Sequence, residues 1–496
     1  MTEPTDSADP TDPADRTGSS DATDPTGPTD PSDPTGPLPG TPTSVGLARR
    51  VLAFAGLPFL SLLTPFLFLP VLARVAGAET WLAIAVGQSI GAFFALVVAL
   101  GYNTVGPAMV ALAEPGHRPI VLLSSIRARV VVFVPAALVA VAIAALVAPE
   151  GERVICGLMS FAMVLTGLSS SWYMIGLGRA GLIALFEILP RMIATLLAAV
   201  LLVSLGIVIA YPLLLILASV VGVGWFVART VGALGAPGDQ GGASAGQSGT
   251  QGGRSGTQAG PGGHGNPSGH GHSSANPSGQ TVREVLRENR SAAATEIAAG
   301  AYNSLAITFV SLTASTAQAA AYVSGDKLYR IGQYSVSALG NALQGWVVED
   351  QRREFARRTK RSFVLHAALG LIGLLVFALA GPWLSALLFG ERVAIDGPTA
   401  LAFGFATLLI ALGTTLGRVT LVGLGARREF FVSVLIGATI GIPAILVLAG
   451  LFGAAGGAWG LALGEFASVT AQSIFVVRVW QASSIRTPDS RTERET

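Results

Sequence analysis

The sequence predicts an all-α polytopic membrane protein, and three observations carry that prediction. Of the 496 residues, 51% are hydrophobic and only 12% are charged, and the mean hydropathy of +0.61 is above what a soluble domain of this length shows. Apolar runs of about 20 residues, each long enough to cross a bilayer, recur on both sides of a Gly/Ser-rich block. Lysine and arginine are also distributed unevenly over the connections between those runs, as the sidedness of membrane insertion requires.

Composition divides the chain. Residues 1–45, exemplified by "DPTGPTDPSDPTGP", contain too little apolar surface to offset the entropy of ordering, and we expect a disordered acidic tail. It has neither the basic start nor the apolar core of a secretory signal before Val51. A six-helix lobe is expected over 46–234 and a second over 281–480. Between them, 235–280 reads as a flexible Gly/Ser-rich linker, and 481–496 as a polar tail. His264, His270 and His272 lie in the linker; their irregular setting reads as decoration rather than a metal site. The single Cys156 falls in an apolar run, where a cysteine behaves as a small hydrophobe, and it excludes an intramolecular disulfide.

The predicted spans run near 51–73, 81–103, 127–148, 153–175, 181–206 and 208–231. After the linker they run near 292–314, 318–348, 362–388, 398–424, 429–452 and 455–478. With the N-terminus inside, 24 of the 31 basic residues fall on the cytoplasmic side. Only Arg74, Arg153 and Arg392 fall outside, and "DQRREFARRTKR" alone supplies six inside charges. A missed or extra span would invert every later loop, so the pattern predicts twelve spans with both termini cytoplasmic. Two sets of six entering in the same direction predict a parallel repeat. "MIGLGRAGLIALFE" against "LVGLGARREFFVSV", and "ALGYN" against "ALGN", echo each other at corresponding places. In the first span, Pro58, Pro65 and Pro70 each remove a backbone hydrogen bond and predict bends.

Eight charged residues lie more than three positions inside the ends of these spans: Glu187, Arg191, Glu296, Asp326, Lys327, Arg330, Arg418 and Glu465. Lipid exposure of a single one costs about 2.5 to 3.5 kcal/mol, so all must be paired or face water. Glu187 and Arg191, at i and i+4, are expected to pair. Glu296 and Arg418 lie near the cytoplasmic ends of their spans and can extend toward water. Glu465 sits mid-span with no cation one turn away, so a partner helix or a cavity must stabilise it.

The eighth span carries the strongest signal. Asp326, Arg330, Gln333, Ser337, Asn341 and Gln344 form a polar stripe at helical spacing. Asp326 is expected to pair with Arg330, leaving Lys327 as the surplus cation beside Tyr322 and Tyr329. The stripe reads either as hydrogen-bonding glue between helices or as the cationic wall of a hydrated cavity. Arg330 lies about 17 Å from the outer end of its span at 1.5 Å per residue, near the midplane where transporters place their sites.

The chain contains no phosphate-binding loop, no zinc-ligand spacing and no extramembrane segment of catalytic size. An ATP-driven pump or a soluble transferase is therefore not expected, and the net charge of +2 suggests no nucleic-acid partner. Heavy use of Ala, Gly and Arg points to a G+C-rich bacterial genome.

"LFLPVLARVAGAETWLAIAVGQSI", which joins the first two spans, and "AAYVSGDKLYRIGQYSVSALGNALQ", in the eighth, resemble the polysaccharide flippase branch of the multidrug/oligosaccharidyl-lipid/polysaccharide exporter superfamily. The resemblance covers about 46–480 apart from the linker. It implies two six-helix lobes in a V around a central cavity, in the cytoplasmic membrane. It further implies alternating-access transport of an undecaprenyl-type lipid-linked oligosaccharide in cell-surface polysaccharide biosynthesis. No cofactor is implied; coupling to a proton or sodium gradient is compatible with the resemblance, with Glu296 and Glu465 as candidate coupling acids. The implied partners are the substrate, the bilayer and other polysaccharide-assembly proteins. Lys327 and Arg330 would meet the substrate's pyrophosphate, joined by Arg418 from the cytoplasmic mouth, with Gln333, Asn341 and Gln344 also lining the cavity. Thr80 and Trp81 after the first span, and "GWVVED" at the end of the eighth, depart from the family pattern. A cation-coupled multidrug exporter is the alternative, and a membrane enzyme acting on lipid-linked sugars is a more distant one.

Overall fold

The computed structural model describes residues 68–235, 282–348 and 354–485. The expected N-terminal tail, Pro58 and Pro65, the linker with its three histidines and most of the C-terminal tail lie outside the described residues. Among the described residues every regular element is helical. In chain order these are α1 (68–75), α2 (Gly77–Leu112), α3 (Arg118–Val147), α4 (Arg153–Gly176) and α5 (Gly181–Leu205). They continue with α6 (Ala210–Gly235), α7 (Val282–Thr313), α8 (Thr316–Val348), α9 (Phe355–Phe389) and α10 (Gly397–Leu421). The last stretch, Arg427–Ile485, divides at Gly453, whose φ of 60° is non-helical, into α11 (427–452) and α12 (454–485).

Eight helical stretches among the described residues are long and apolar enough to cross a membrane. Helices α7 and α8, at 32 and 33 residues, also have the length, but charges lower their apolar content. The outward faces of α3, α5 and α9 expose Leu138, Leu146, Val203 and Leu379, the surface a hydrocarbon environment selects.

Three helices are broken, and each break has a local cause. In α2, Leu100 (φ 51°) and Gly101 (φ 76°) are left-handed in succession. A left-handed Leu costs about 1 to 2 kcal/mol, and burial of Leu100 in a cluster with Tyr102, Val110 and Trp172 offsets that cost. Helix α4 narrows to a 3₁₀ turn at Leu165–Leu168 and restarts at Ser171. Between α11 and α12, Gly453 leaves room for Gln318, whose Oε1 accepts from Ala454 N at 3.0 Å. Wider π-turns occupy Ala184–Ile188 in α5 and Thr414–Leu421 in α10. Such bulges re-aim side chains and are frequent at functional sites, and they contain Glu187 and Arg418 respectively.

Helix α2 is the seam between the two parts of the sequence. It packs on α3 and α4 on one side and on α7 and α8 on the other. In the second part, α9 packs on α8 and α10, while α7 and α10 pack on the α11–α12 pair.

Candidate functional site

The seam is built from one row of α2 side chains about seven residues apart. Trp81, fully buried, donates from Nε1 to Ala320 O at 3.2 Å and lies against the Phe389 ring at 5.4 Å between centroids. Near it, Arg74 donates to Leu387 O. One helical repeat on, Gln88 Oε1 accepts from Lys327 Nζ at 3.0 Å. Ser89 Oγ donates to Ser304 O and sits 2.8 Å from Thr308 Oγ1. Beyond the α2 break, Asn103 Nδ2 donates to Glu296 Oε1 at 2.7 Å. Glu296 therefore ties α7 to α2.

Between these contacts lies a cavity of about 560 Å³, within the usual range of roughly 300 to 1,000 Å³ for ligand sites. Both parts of the chain contribute to it. Gln88, Ser89, Glu187, Arg191 and Thr195 come from α2 and α5, and Lys327, Arg330 and Tyr334 come from α8. Leu69, Ile183, Leu215 and Ile307 make part of its wall apolar. Asp326, 2% exposed, holds Arg330 Nε at 2.7 Å, and Arg330 Nη2 donates to Asn303 O at 3.0 Å.

The Glu187–Arg191 pair expected from their spacing is not formed. The carboxylate accepts instead from Ser169 Oγ at 2.7 and 2.8 Å and from Ser170 N at 3.0 Å. The physical reason is the break in α4. Its interrupted backbone exposes an amide and a serine hydroxyl, fixed donors that compete with a long, mobile guanidinium, and the π-turn changes the phase between the two charges. Arg191 lines the cavity with no ion-pair partner among the described residues.

Arg129 is a buried cation that the sequence reading missed. It is 1% exposed, donates to Gly167 O at 3.1 Å, Ser169 O at 2.8 Å and reaches Ser125 Oγ at 3.1 Å. It also lies 5.6 Å from the Tyr102 and Trp172 ring centroids, a cation–π distance. As the third residue of the span expected at 127–148 it had been counted with the cytoplasmic charges. The run of apolar residues that begins at Val130 is the only signal of its depth in the sequence.

The polar stripe of α8 divides between two environments. The face toward the central cavity is Lys327, Arg330, Ile331 and Tyr334. Ser337 lines a different cavity, and Asn341 Oδ1 accepts from Arg418 Nη2 at 2.8 Å. Gln333 and Gln344 line neither of these two cavities. Arg418, expected to reach the substrate from the cytoplasmic mouth, lines the second cavity, of about 270 Å³, together with Glu465. The division follows the length of α8: Ser337 and Asn341 lie on nearly the same face as Arg330 but two to three turns further along, where that face meets α10.

No protein-family model matches the chain, and no curated protein sequence matches it. Solved structures do match over nearly its whole length. An inward-facing multidrug resistance MATE family transporter of the MOP superfamily is 12% identical, covers 88% of this chain and 100% of its own, and gives a TM-score of 0.64. The lipid II flippase MurJ in an inward closed conformation is 10% identical, with 89% and 94% coverage and a TM-score of 0.59. A MOP superfamily transporter from Pyrococcus furiosus, described as having a binding pocket of reverse polarity, is 13% identical, with 89% and 97% coverage and a TM-score of 0.56. The chain thus has the all-helical fold shared by MATE and MurJ structures, the fold class that its sequence predicts.

Proposed function

We propose that this protein is a transporter of the MOP type that flips an undecaprenyl-type lipid-linked oligosaccharide across the cytoplasmic membrane for cell-surface polysaccharide assembly. The fold supports the transporter class. The observation that carries the substrate class is the charge balance of the central cavity. Arg191, Lys327 and Arg330 line it from opposite sides of the seam, while Glu187, the one carboxylate in its wall among the described residues, is already engaged by Ser169 and Ser170.

An anion with several oxygens, such as a pyrophosphate, matches that lining. Arg191 and Arg330 can each fork across two phosphate oxygens, and Lys327 adds a point charge. The apolar wall suits the beginning of a polyprenyl chain. In this reading twelve spans in two parallel halves rock about the α2 seam, both termini are cytoplasmic, and a proton or sodium gradient drives the cycle. Trp81, Arg74 and Phe389 close the outer side, and outward opening requires their contacts to break. Other polysaccharide-assembly proteins supply and consume the substrate.

Depletion of the protein in its host, with leaflet-resolved measurement of lipid-linked precursors, tests the reading. The proposal predicts accumulation on the cytoplasmic leaflet. Unchanged precursor distribution together with loss of resistance to cationic dyes would favour cation-coupled multidrug export. Product formation in detergent, where no leaflets exist, would favour a membrane enzyme.

A further inference from the structure

The second cavity lies wholly within the second part of the chain, among α7, α8, α10, α11 and α12, and the proposed flippase chemistry makes no use of it. Arg418 and Glu465 both line it, yet they form no ion pair within 4 Å among the described residues. Arg418 spends one donor on Asn341, and no hydrogen bond to the Glu465 carboxylate is formed among the described residues. Gln472, only 3% exposed, also lines the cavity. Its Nε2 reaches Ser468 Oγ at 3.3 Å, while its Oε1 is buried without a partner.

This arrangement requires an occupant with two ends. Glu465 and Gln472 Oε1 are acceptors that call for a positively charged donor, and the remaining guanidinium N–H groups of Arg418 call for an anion. A bare cation would satisfy the first end and be repelled by Arg418, and a bare anion would meet the reverse problem at Glu465. A cavity of about 270 Å³ has room for several waters or one small organic molecule. We propose that this cavity is a binding site for a small zwitterion, with its ammonium on Glu465 and Gln472 and its carboxylate on Arg418.

The site adjoins the central cavity. Arg330, which lines the central cavity, donates to the backbone oxygen of Asn303, and Asn303 lines the second cavity. A bound zwitterion would therefore rest against the support of a central-cavity cation. The inference does not depend on which substrate the central cavity carries.

Thermal unfolding of the purified full-length protein in detergent tests it. Glycine, β-alanine and γ-aminobutyrate would be titrated at fixed ionic strength, with propylamine, butyrate and sodium chloride as separate probes. We expect a saturable rise in Tm with at least one zwitterion and none with the amine, the carboxylate or sodium alone. Arg418→Gln and Glu465→Gln should each abolish the rise. If Glu465→Gln does not fold, Gln472→Leu serves instead and should weaken binding at least tenfold by isothermal titration. A rise with sodium alone that survives Arg418→Gln would identify a cation site and overturn the proposal. No rise with any zwitterion, or a rise unaffected by these variants, would overturn it equally.

Discussion

Arg129 and Glu187 hold the two sides of one break in α4. The guanidinium takes the carbonyls of Gly167 and Ser169 that the 3₁₀ turn leaves without helical partners, and the carboxylate takes the amide of Ser170 just before the helix restarts. A cation at a helix C-terminus and an anion at the following N-terminus each complement the local dipole, and together they satisfy backbone groups that lipid cannot. One side of the central cavity rests on this arrangement.

Replacing Arg129 should therefore destabilise the protein without touching the cavity. Each buried carbonyl left unpaired costs about 1 to 3 kcal/mol, so Arg129→Leu should lower Tm in detergent strongly. Arg129→Lys should recover only part of the loss, because a single ammonium has no planar fork to span two carbonyls. An unchanged Tm in Arg129→Leu would show that the break is satisfied in another way.

Asp326 and Arg330 should be energetically coupled. Asp326→Asn leaves a cavity cation without its buried counter-charge, and Arg330→Gln leaves a buried carboxylate without its cation. The double variant should be less destabilised than the sum of the two, with an interaction energy of about 0.5 to 3 kcal/mol. A double-mutant cycle on unfolding in detergent measures it, and additive losses would mean that the 2.7 Å contact contributes little.

Much of this was legible in the sequence, and the exceptions share a physical origin. The spans expected near 318–348 and 398–424 are observed at Thr316–Val348 and Gly397–Leu421, the second from its apolar length and the first in spite of its charges. The Asp326–Arg330 pair followed from i, i+4 spacing on a regular helix. Glu187 and Arg191 have the same spacing, but the π-turn at Ala184–Ile188 and the donors at the α4 break remove the pair. Those donors lie some 17 residues away in sequence, beyond any periodicity argument. The division of the α8 stripe between two cavities was equally hidden, because spacing defines a face of a helix and only packing decides what that face meets.

Trp81 should act as an outer latch. The variant Trp81→Phe keeps most of the ring and removes the donor to Ala320 O, a loss of about 1 kcal/mol. That should increase the population open to the outside. Cys156 is the only cysteine and is buried, so Ser304→Cys in the cavity wall can be labelled with little background. An impermeant maleimide added from outside should react faster in the Trp81→Phe background. Equal rates would remove Trp81 from the gate.

The structure also separates Arg191 from Arg418. Arg191 faces the central cavity with Lys327 and Arg330, whereas Arg418 faces the second cavity. Affinity for a pyrophosphate-bearing lipid should fall at least tenfold in Arg191→Gln and less than threefold in Arg418→Gln, read by titration of the purified protein. The opposite order would return Arg418 to the substrate path.

In the proposed transport cycle, cations of the cavity carry a lipid-linked anion across the membrane. Its most direct test reconstitutes the purified protein in liposomes with a fluorescent undecaprenyl-pyrophosphate-linked oligosaccharide. Leaflet transfer would be followed in the parent protein and in Lys327→Ala/Arg330→Ala, matched for folding and incorporation. Protein-dependent transfer that the double variant loses is expected, and transfer at the parent rate in the double variant would rule out this role for Lys327 and Arg330.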